Sequence, residues 1–398
     1  MIFLSAARAA LAGQSGLRRI LVAMVIVLAG LSLSCSNSAV TAPNHNAYVT
    51  LPGIGSVLLL HIDGTTGAIT QGAQTPPNAN TSPTGLALLP SKQFLYAVNS
   101  FASTISIFNV RSDGTLSLSG TPSTAGPSPY AAVIDPSGKY LLVTNSVFDG
   151  SVSVFSIDSG TGALSPVGSP VPANAFPTEI LFLPSGNFVY VTNPSLGMVS
   201  IFSFSNSNGA LTQLPDVSPV FSGAGASGLA VDASERFLYV TNPSAANPVP
   251  VTTIGNISGF NIAPNNDPNP GSLTPILGSP FYPQLGSASG PTAITVDPSG
   301  KFVYAVAPGT SYSIWCFTIT PTNGQLAVVT NSPFSLAAGR QFALFDPIGS
   351  FFYIGSESAN GIESYTYNPS NGALTEITDS PFSTGTPPTA PGKMVFAE

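Results

Sequence analysis

The feature that most constrains this chain is that it repeats itself. A short apolar run recurs as Phe94-Leu-Tyr-Ala-Val-Asn99, Tyr140-Leu-Leu-Val-Thr-Asn145, Phe188-Val-Tyr-Val-Thr-Asn193 and Phe237-Leu-Tyr-Val-Thr-Asn242. Phe302-Val-Tyr-Ala-Val306, Phe351-Phe-Tyr-Ile354 and an earlier relative, Ala47-Tyr-Val-Thr50, bring the copies to seven. Successive copies lie 46 to 49 residues apart, except for one interval of 65. The runs are apolar almost without alternation, so both faces should be covered. A fixed period of this length, filled with short β-type runs, marks a ring of units that cannot bury their faces alone. The expected fold is all-β, a seven-bladed β-propeller of four-stranded antiparallel blades.

Each copy carries its own punctuation. A turn precedes the apolar run: Asp135-Pro-Ser-Gly138, Leu183-Pro-Ser-Gly186, Asp297-Pro-Ser-Gly300 and Asp346-Pro-Ile-Gly349. Pro presets φ, Gly tolerates the positive φ that closes the turn, and Asp caps it through its own side chain. The next run alternates, as in Thr104-Ile-Ser-Ile-Phe108 and Ser151-Val-Ser-Val-Phe155, which predicts a strand with two unlike faces. The Asn that ends several apolar runs reads as a turn initiator. A second hairpin follows in every copy, from Gly67-Ala-Ile69 to Gly372-Ala-Leu374. The first copy lacks an innermost strand, while the C-terminus has one to spare in Lys393-Met-Val-Phe-Ala397, preceded by Pro388-Thr389. The last strand should therefore close the ring by completing the first blade, which removes an exposed edge. The long interval maps to 243–271, rich in Asn and Pro, and reads as a surface loop.

The sequence divides into a leader over 1–35, a tether over 36–45 and the propeller over 46–398. Arg18 and Arg19 precede an apolar stretch from Ile20 to Leu33 that ends at Ser34-Cys35. That order fits a signal peptide and is short for a membrane span. A Cys in this place resembles a bacterial lipobox, with Leu at 31 and 33, so Cys35 is the expected lipidation site. The expected location is the bacterial cell envelope, on the outer membrane or periplasmic face. Beyond Cys35 the chain has seven Lys and Arg against 17 Asp and Glu, a net charge of −10. A sparse, acidic surface argues against nucleic acid, and leaves the membrane reachable only through a lipid anchor. Cys316, the other cysteine, lies within a strand and reads as core.

The copies resemble the lactonase-type seven-bladed propellers, the family of bacterial 6-phosphogluconolactonase. They also resemble the YVTN-repeat surface proteins through Tyr190-Val-Thr-Asn193 and Tyr239-Val-Thr-Asn242. The Gly-Ala-Leu hairpins and the Ser-Pro-Phe that follows, as in Ser279-Pro-Phe281 and Ser332-Pro-Phe334, favour the lactonase branch. The resemblance implies a ligand site in the central channel, built just ahead of the innermost strands and including a His. This chain departs there. Its histidines are His45, in the tether, and His61, in a third strand, whereas the matching positions hold Gly85, Ala131, Glu179, Gly228, Ala293 and Phe342.

Opening a lactone needs a base to activate water and a cation or donor for the oxyanion. Glu179 and Arg340 are the candidates for those catalytic roles. Tyr130, Gln341 and Lys393 are candidate ligand-binding residues. No metal site and no cofactor is expected: zinc spacing, a phosphate-cradling Gly loop and a Ser/His/Asp set are all missing. The reading is thus a monomeric, envelope-anchored propeller that binds a small molecule, carbohydrate or envelope protein through its channel or loop face. The alternative is a divergent lactone hydrolase using Glu179 and Arg340, with little activity on the phosphorylated lactone.

Overall fold

A computed structural model describes residues 44–76, 81–246, 254–282, 290–307, 313–330, 332–335, 342–356, 359–386 and 389–397. The leader with Cys35, nearly all of the tether, Arg340 and Gln341 lie outside the described residues. Within them every regular element is a strand.

The strands form seven antiparallel sheets. The second blade shows the plan: Pro83–Leu88 is innermost, followed by Phe94–Asn99, Thr104–Val110 and Leu116–Leu118. In five blades a short fifth segment, such as Ser123–Thr124, pairs back onto the third strand. The expected closure is present. Met394–Ala397 pairs antiparallel with His45–Leu51, from Asn46↔Ala397 to Val49↔Met394. The residues directly ahead of it are Pro391-Gly392-Lys393, with Lys393 N–H donating to Thr50 Oγ1 at 2.8 Å. His45 belongs to this first-blade strand and not to the tether.

The cores lie between blades. Seven clusters of buried side chains occupy the seven joints, and each draws on two neighbouring sheets. One holds Val49 and Leu60 of the first blade against Phe351 and Tyr353 of the seventh, so the ring is closed by packing as well as by pairing. The Tyr of the apolar run adds a bond across the joint. Tyr48, Tyr96, Tyr190, Tyr239 and Tyr304 donate to the hairpin carbonyls of Gly114, Gly162, Gly271, Gly324 and Gly372 on the next blade, at 2.7–3.0 Å. Tyr353 reaches Gly67 at 3.2 Å and carries the series around to the first blade. The third blade has Leu142 at this position and lacks the bond. Burial, with a smaller contribution from the nearby Asp113 charge, pushes the Tyr48 phenol up to about 12, so it remains a donor. Gly is required at the accepting position: Gly67 has φ +71°, and a Cβ there would lie 2.4 Å from Phe351 Cδ1.

Three local expectations are revised. The alternating third strands are buried on both faces, with Ser106, Ser153 and Ser200 enclosed alongside their apolar neighbours. The reason is the recurrent Asn, which is a buried clip and not a turn initiator. Asn99 Nδ2 donates to Ser106 Oγ at 2.9 Å, Asn145 Nδ2 to Ser153 Oγ at 2.9 Å and Asn242 Nδ2 to Ser258 Oγ at 3.0 Å. Ser200 Oγ donates to Asn193 Oδ1 at 2.9 Å. A buried hydroxyl is tolerable because the neighbouring strand satisfies it. The Asp of the turns behaves as expected: Asp135 Oδ1 accepts from the amides of Lys139 and Tyr140 at 2.8 and 2.6 Å. The long insertion is only partly a loop. Its first residues extend the second strand of the fifth blade to Phe237–Ala246, paired past a register shift with Ile254–Ile262.

Candidate functional site

The ring plan fixes what faces the channel mouth. Innermost strands begin at the end where second strands finish, since Pro129 pairs with Asn145. At the start of the innermost strand in four blades, the backbone is held by the Thr near the end of the second strand. Ala131, Glu179, Gly228 and Lys393 each donate their amide to Thr144, Thr192, Thr241 and Thr50 Oγ1, at 3.0, 3.1, 2.8 and 2.8 Å. The same hydroxyls reach the next blade, as in Thr144 Oγ1 to Thr178 O at 3.1 Å and Thr192 Oγ1 to Ser227 O at 3.0 Å. A belt of hydrogen bonds thus sets the lead-in residues around the channel on a rigid frame.

Glu179 and Lys393 are therefore repeat-equivalent residues, on the fourth and first blades. Three blades apart is the widest separation a seven-membered ring allows, so their side chains approach from opposite sides. They meet: Lys393 Nζ donates to Glu179 Oε1 at 2.7 Å and Oε2 at 2.9 Å. Both side chains remain about a third exposed, at 33% for Lys393 and 31% for Glu179. A partly solvated pair of this kind contributes only about 0–1 kcal/mol to stability. The fold does not need it, as belts and joint cores already close the ring.

The pair stands in a cavity of ≈ 590 Å³. Six blades supply its wall: Tyr130 from the third, Thr178 and Glu179 from the fourth, Ser227 from the fifth, Thr292 from the sixth, Phe342 from the seventh, and Lys393 from the first. Among the described residues lining it, Glu179 and Lys393 are the only charged ones. The cavity offers one carboxylate, one ammonium, the hydroxyls of Thr178, Ser227 and Tyr130, and apolar surface from Phe342, Leu344 and Met394. Chemically it can exchange hydrogen bonds with a compact ligand rich in hydroxyls. A carboxylate beside an ammonium can also share a proton with water while the cation faces developing negative charge.

Of the residues singled out in the sequence, Glu179, Lys393 and Tyr130 are brought together here. Arg340 and Gln341 fall outside the described residues. The tie between Glu179 and Lys393 was not foreseen. Its signal was the place of Lys393 directly ahead of the closing strand Met394–Ala397, as Glu179 stands directly ahead of Ile180–Phe182.

A second, larger cavity of ≈ 850 Å³ opens at the other end of the ring, lined by His45, His61, Asp63, Lys92 and Ile348. Both histidines border it, but they serve the structure. His61 Nδ1 pairs with Asn46 Oδ1 at 2.8 Å, and the His45 ring packs on Phe396 at 5.9 Å. The channel mouth is the stronger candidate because equivalent positions of the repeat converge on it. Cys316 is fully buried, and burial above all pushes its thiol up to about 12, which removes it as a nucleophile.

Comparison with known proteins agrees with this architecture. The family described as "Lactonase, 7-bladed beta-propeller" matches residues 39–177, 170–266 and 254–389. No curated protein matches the sequence. Among solved structures, a Bacteroides fragilis protein assigned provisionally as a 6-phosphogluconolactonase superposes with a TM-score of 0.72 and 19% identity, covering 90% of this chain and 99% of its own. A Bacteroides uniformis protein assigned in the same way gives 0.69 and 20%, covering 89% and 99%. The periplasmic gluconolactonase of Pseudomonas aeruginosa gives 0.70 and 17%, covering 89% and 99%. At these identities the likeness is one of fold. With the family profile spanning nearly the whole ring, the chain belongs to the lactonase family of seven-bladed β-propellers.

Proposed function

We propose that this propeller binds a small, unphosphorylated sugar acid or sugar lactone at its channel mouth, between Glu179 and Lys393. The observation that carries the reading is the Glu179–Lys393 pair joined across the channel at 2.7 and 2.9 Å. A carboxylate and an ammonium side by side present an acceptor and a donor to adjacent hydroxyls, or to a hydroxyl and a carbonyl. The hydroxyls of Thr178, Ser227 and Tyr130 extend that pattern. Charge-assisted bonds of this kind are worth about 1.5–3 kcal/mol each, more than the pair adds to stability. A phosphorylated ligand is disfavoured, because Lys393 is the only cation among the described lining residues and is already paired with Glu179. Titration with gluconate, gluconolactone and 6-phosphogluconate tests the reading: the plain compounds should bind and the phosphorylated one should bind more weakly. Preference for the phosphorylated compound would overturn it.

A second reading, lactone hydrolysis, is favoured by the same convergence and by the family. Glu179 would take a proton from water as the hydroxide adds to the lactone carbonyl carbon. Lys393 would face the resulting oxyanion, where Arg340 was the sequence candidate. The ring C–O bond then breaks and the proton passes to the departing alkoxide, giving the hydroxy acid. Turnover of gluconolactone above the uncatalysed rate, lost in Glu179→Gln, would establish it.

We also propose that the chain is exported and lipid-anchored through Cys35 in the bacterial envelope, where it acts as a monomer on a small molecule, carbohydrate or envelope partner. The order Arg18, apolar run, Cys35 supports this. Cys35→Ala should release the protein from the membrane fraction and abolish labelling with fatty acid.

A further inference from the structure

A pair of aromatic rings stands exposed beside the channel mouth without a structural task. Phe148, in the turn between the second and third strands of the third blade, is 74% exposed. Phe176, in the segment leading into the fourth blade, is 42% exposed. Their rings meet edge to face, with centroids 6.3 Å apart and an interplanar angle of 78°. This geometry leaves ring surface facing solvent. Exposing it is unfavourable, and neither ring belongs to a joint core.

The backbone holds this arrangement under strain. Phe176 has φ +50° and Asn174 has φ +64°. A positive φ is an outlier for a bulky aromatic residue and is held only where the surroundings enforce it. The segment is fastened nonetheless. Phe176 N–H donates to Val147 O at 2.8 Å, and Asn174 Nδ2 donates to Ser200 Oγ at 2.9 Å. Gly150 leaves room for Pro177: a Cβ there would lie 2.2 Å from Pro177 Cδ. The two loops are thus locked together with the rings outward.

The pair is also continuous with the cavity. Phe176-Pro177-Thr178-Glu179 is one stretch of chain, and Thr178 and Glu179 line the channel mouth. Three residues span at most about 10 Å. Tyr130, on the innermost strand of the third blade and 43% exposed, lines the cavity on the same sector.

We propose that Phe148 and Phe176 form a stacking subsite for a second sugar unit, joined to the one held between Glu179 and Lys393. The inference rests on the sugar-acid or lactone reading of the channel and deepens it: the ligand is the acid or lactone end of an oligosaccharide. The face of an aromatic ring is negative and apolar, and suits the C–H face of a pyranose. Rigid aromatic rings give contact area at low entropic cost. A purely apolar partner fits less well, because the neighbouring wall at Thr178 and Glu179 is polar.

The test is calorimetric titration with gluconate and cellobionate, and with their lactones, on wild type, Phe148→Ala and Phe148→Leu. The wild type should bind cellobionate roughly five- to tenfold more tightly than gluconate, a gain in keeping with one aromatic contact. Phe148→Ala and Phe148→Leu should both remove that gain and leave gluconate affinity unchanged. Phe148 is mostly exposed, so an unchanged melting transition will show that the variants fold. Equal affinity for the two acids, or a gain that survives Phe148→Ala, would overturn the subsite while leaving the channel reading intact. Failure of both acids and both lactones to bind would overturn the channel reading and the subsite with it.

Discussion

Removing residues 394–398 should open the ring. The truncation leaves Lys393 in place but deletes the innermost strand of the first blade. Met394 is buried against Val49 and Tyr353, and its loss costs about 2 kcal/mol. Val395 and Phe396 are half-buried, with Phe396 packed on Tyr353 at 5.8 Å, and add about 1 kcal/mol each. Four ladder positions along Asn46–Val49 lose their partners, for about 1–2 kcal/mol more. The expected loss is about 5 kcal/mol, against a total domain stability of about 5–15. Urea unfolding followed through the fluorescence of Trp315, the single tryptophan, reads this from the sixth blade, away from the cut. The midpoint should fall sharply, and size-exclusion chromatography should show association through the exposed edge. A monomeric truncated chain with an unchanged midpoint would refute the closure argument.

Other outcomes follow from the same geometry. Tyr353→Phe leaves the buried carbonyl of Gly67 without its donor and should cost about 1–3 kcal/mol in denaturant unfolding. Leu142→Ala, at the joint without such a bond, should instead show a plain cavity loss of about 2–5 kcal/mol. Alkaline pH should destabilise the fold. Tyrosines with an ordinary value of 10.0, such as Tyr48, Tyr96 and Tyr190, are raised in the native state chiefly by burial. Their contribution is complete below pH 10 and is lost as pH rises from there through their native values, so unfolding midpoints should drop above pH 10, with a further rise in phenolate absorbance as the buried tyrosines are released on unfolding. Cys316, buried and raised to about 12, should resist thiol reagents at pH 8 until the protein is unfolded.

The architecture was legible because the Phe-x-Tyr runs, Asp-Pro-Ser-Gly turns and Gly-Ala-Leu hairpins each state a local rule and repeat it. The spare strand at Met394–Ala397 was legible for the same reason. The Asn clips were misread because a residue at a strand end near a turn favours turn chemistry when its neighbours are unknown. Only the paired strand shows that Ser106 or Ser153 lies within reach of the Asn side chain. The site was half legible. Glu179 stands out as the one ionisable residue among the lead-in positions of the second to seventh blades, whereas Lys393 reads as the first residue of the closing strand, which hides its match to the Glu179 position. Their contact depends on ring closure bringing residues 214 apart in sequence to opposite sides of one channel. Phe148 and Phe176 carry no repeat signal, so nothing in the pattern distinguished them from core aromatics.

The most direct test of the account is gluconate titration of wild type, Glu179→Gln and Lys393→Met, each checked for an unchanged melting transition. The substitutions leave a weak surface pair broken but the ring intact, so stability should move by no more than about 1 kcal/mol. The wild type should bind, and each substitution should weaken binding about 10- to 100-fold by removing a charge-assisted bond. Wild-type binding that survives both substitutions, or no binding by the wild type to gluconate or gluconolactone, would contradict the assignment of the channel mouth as the functional site.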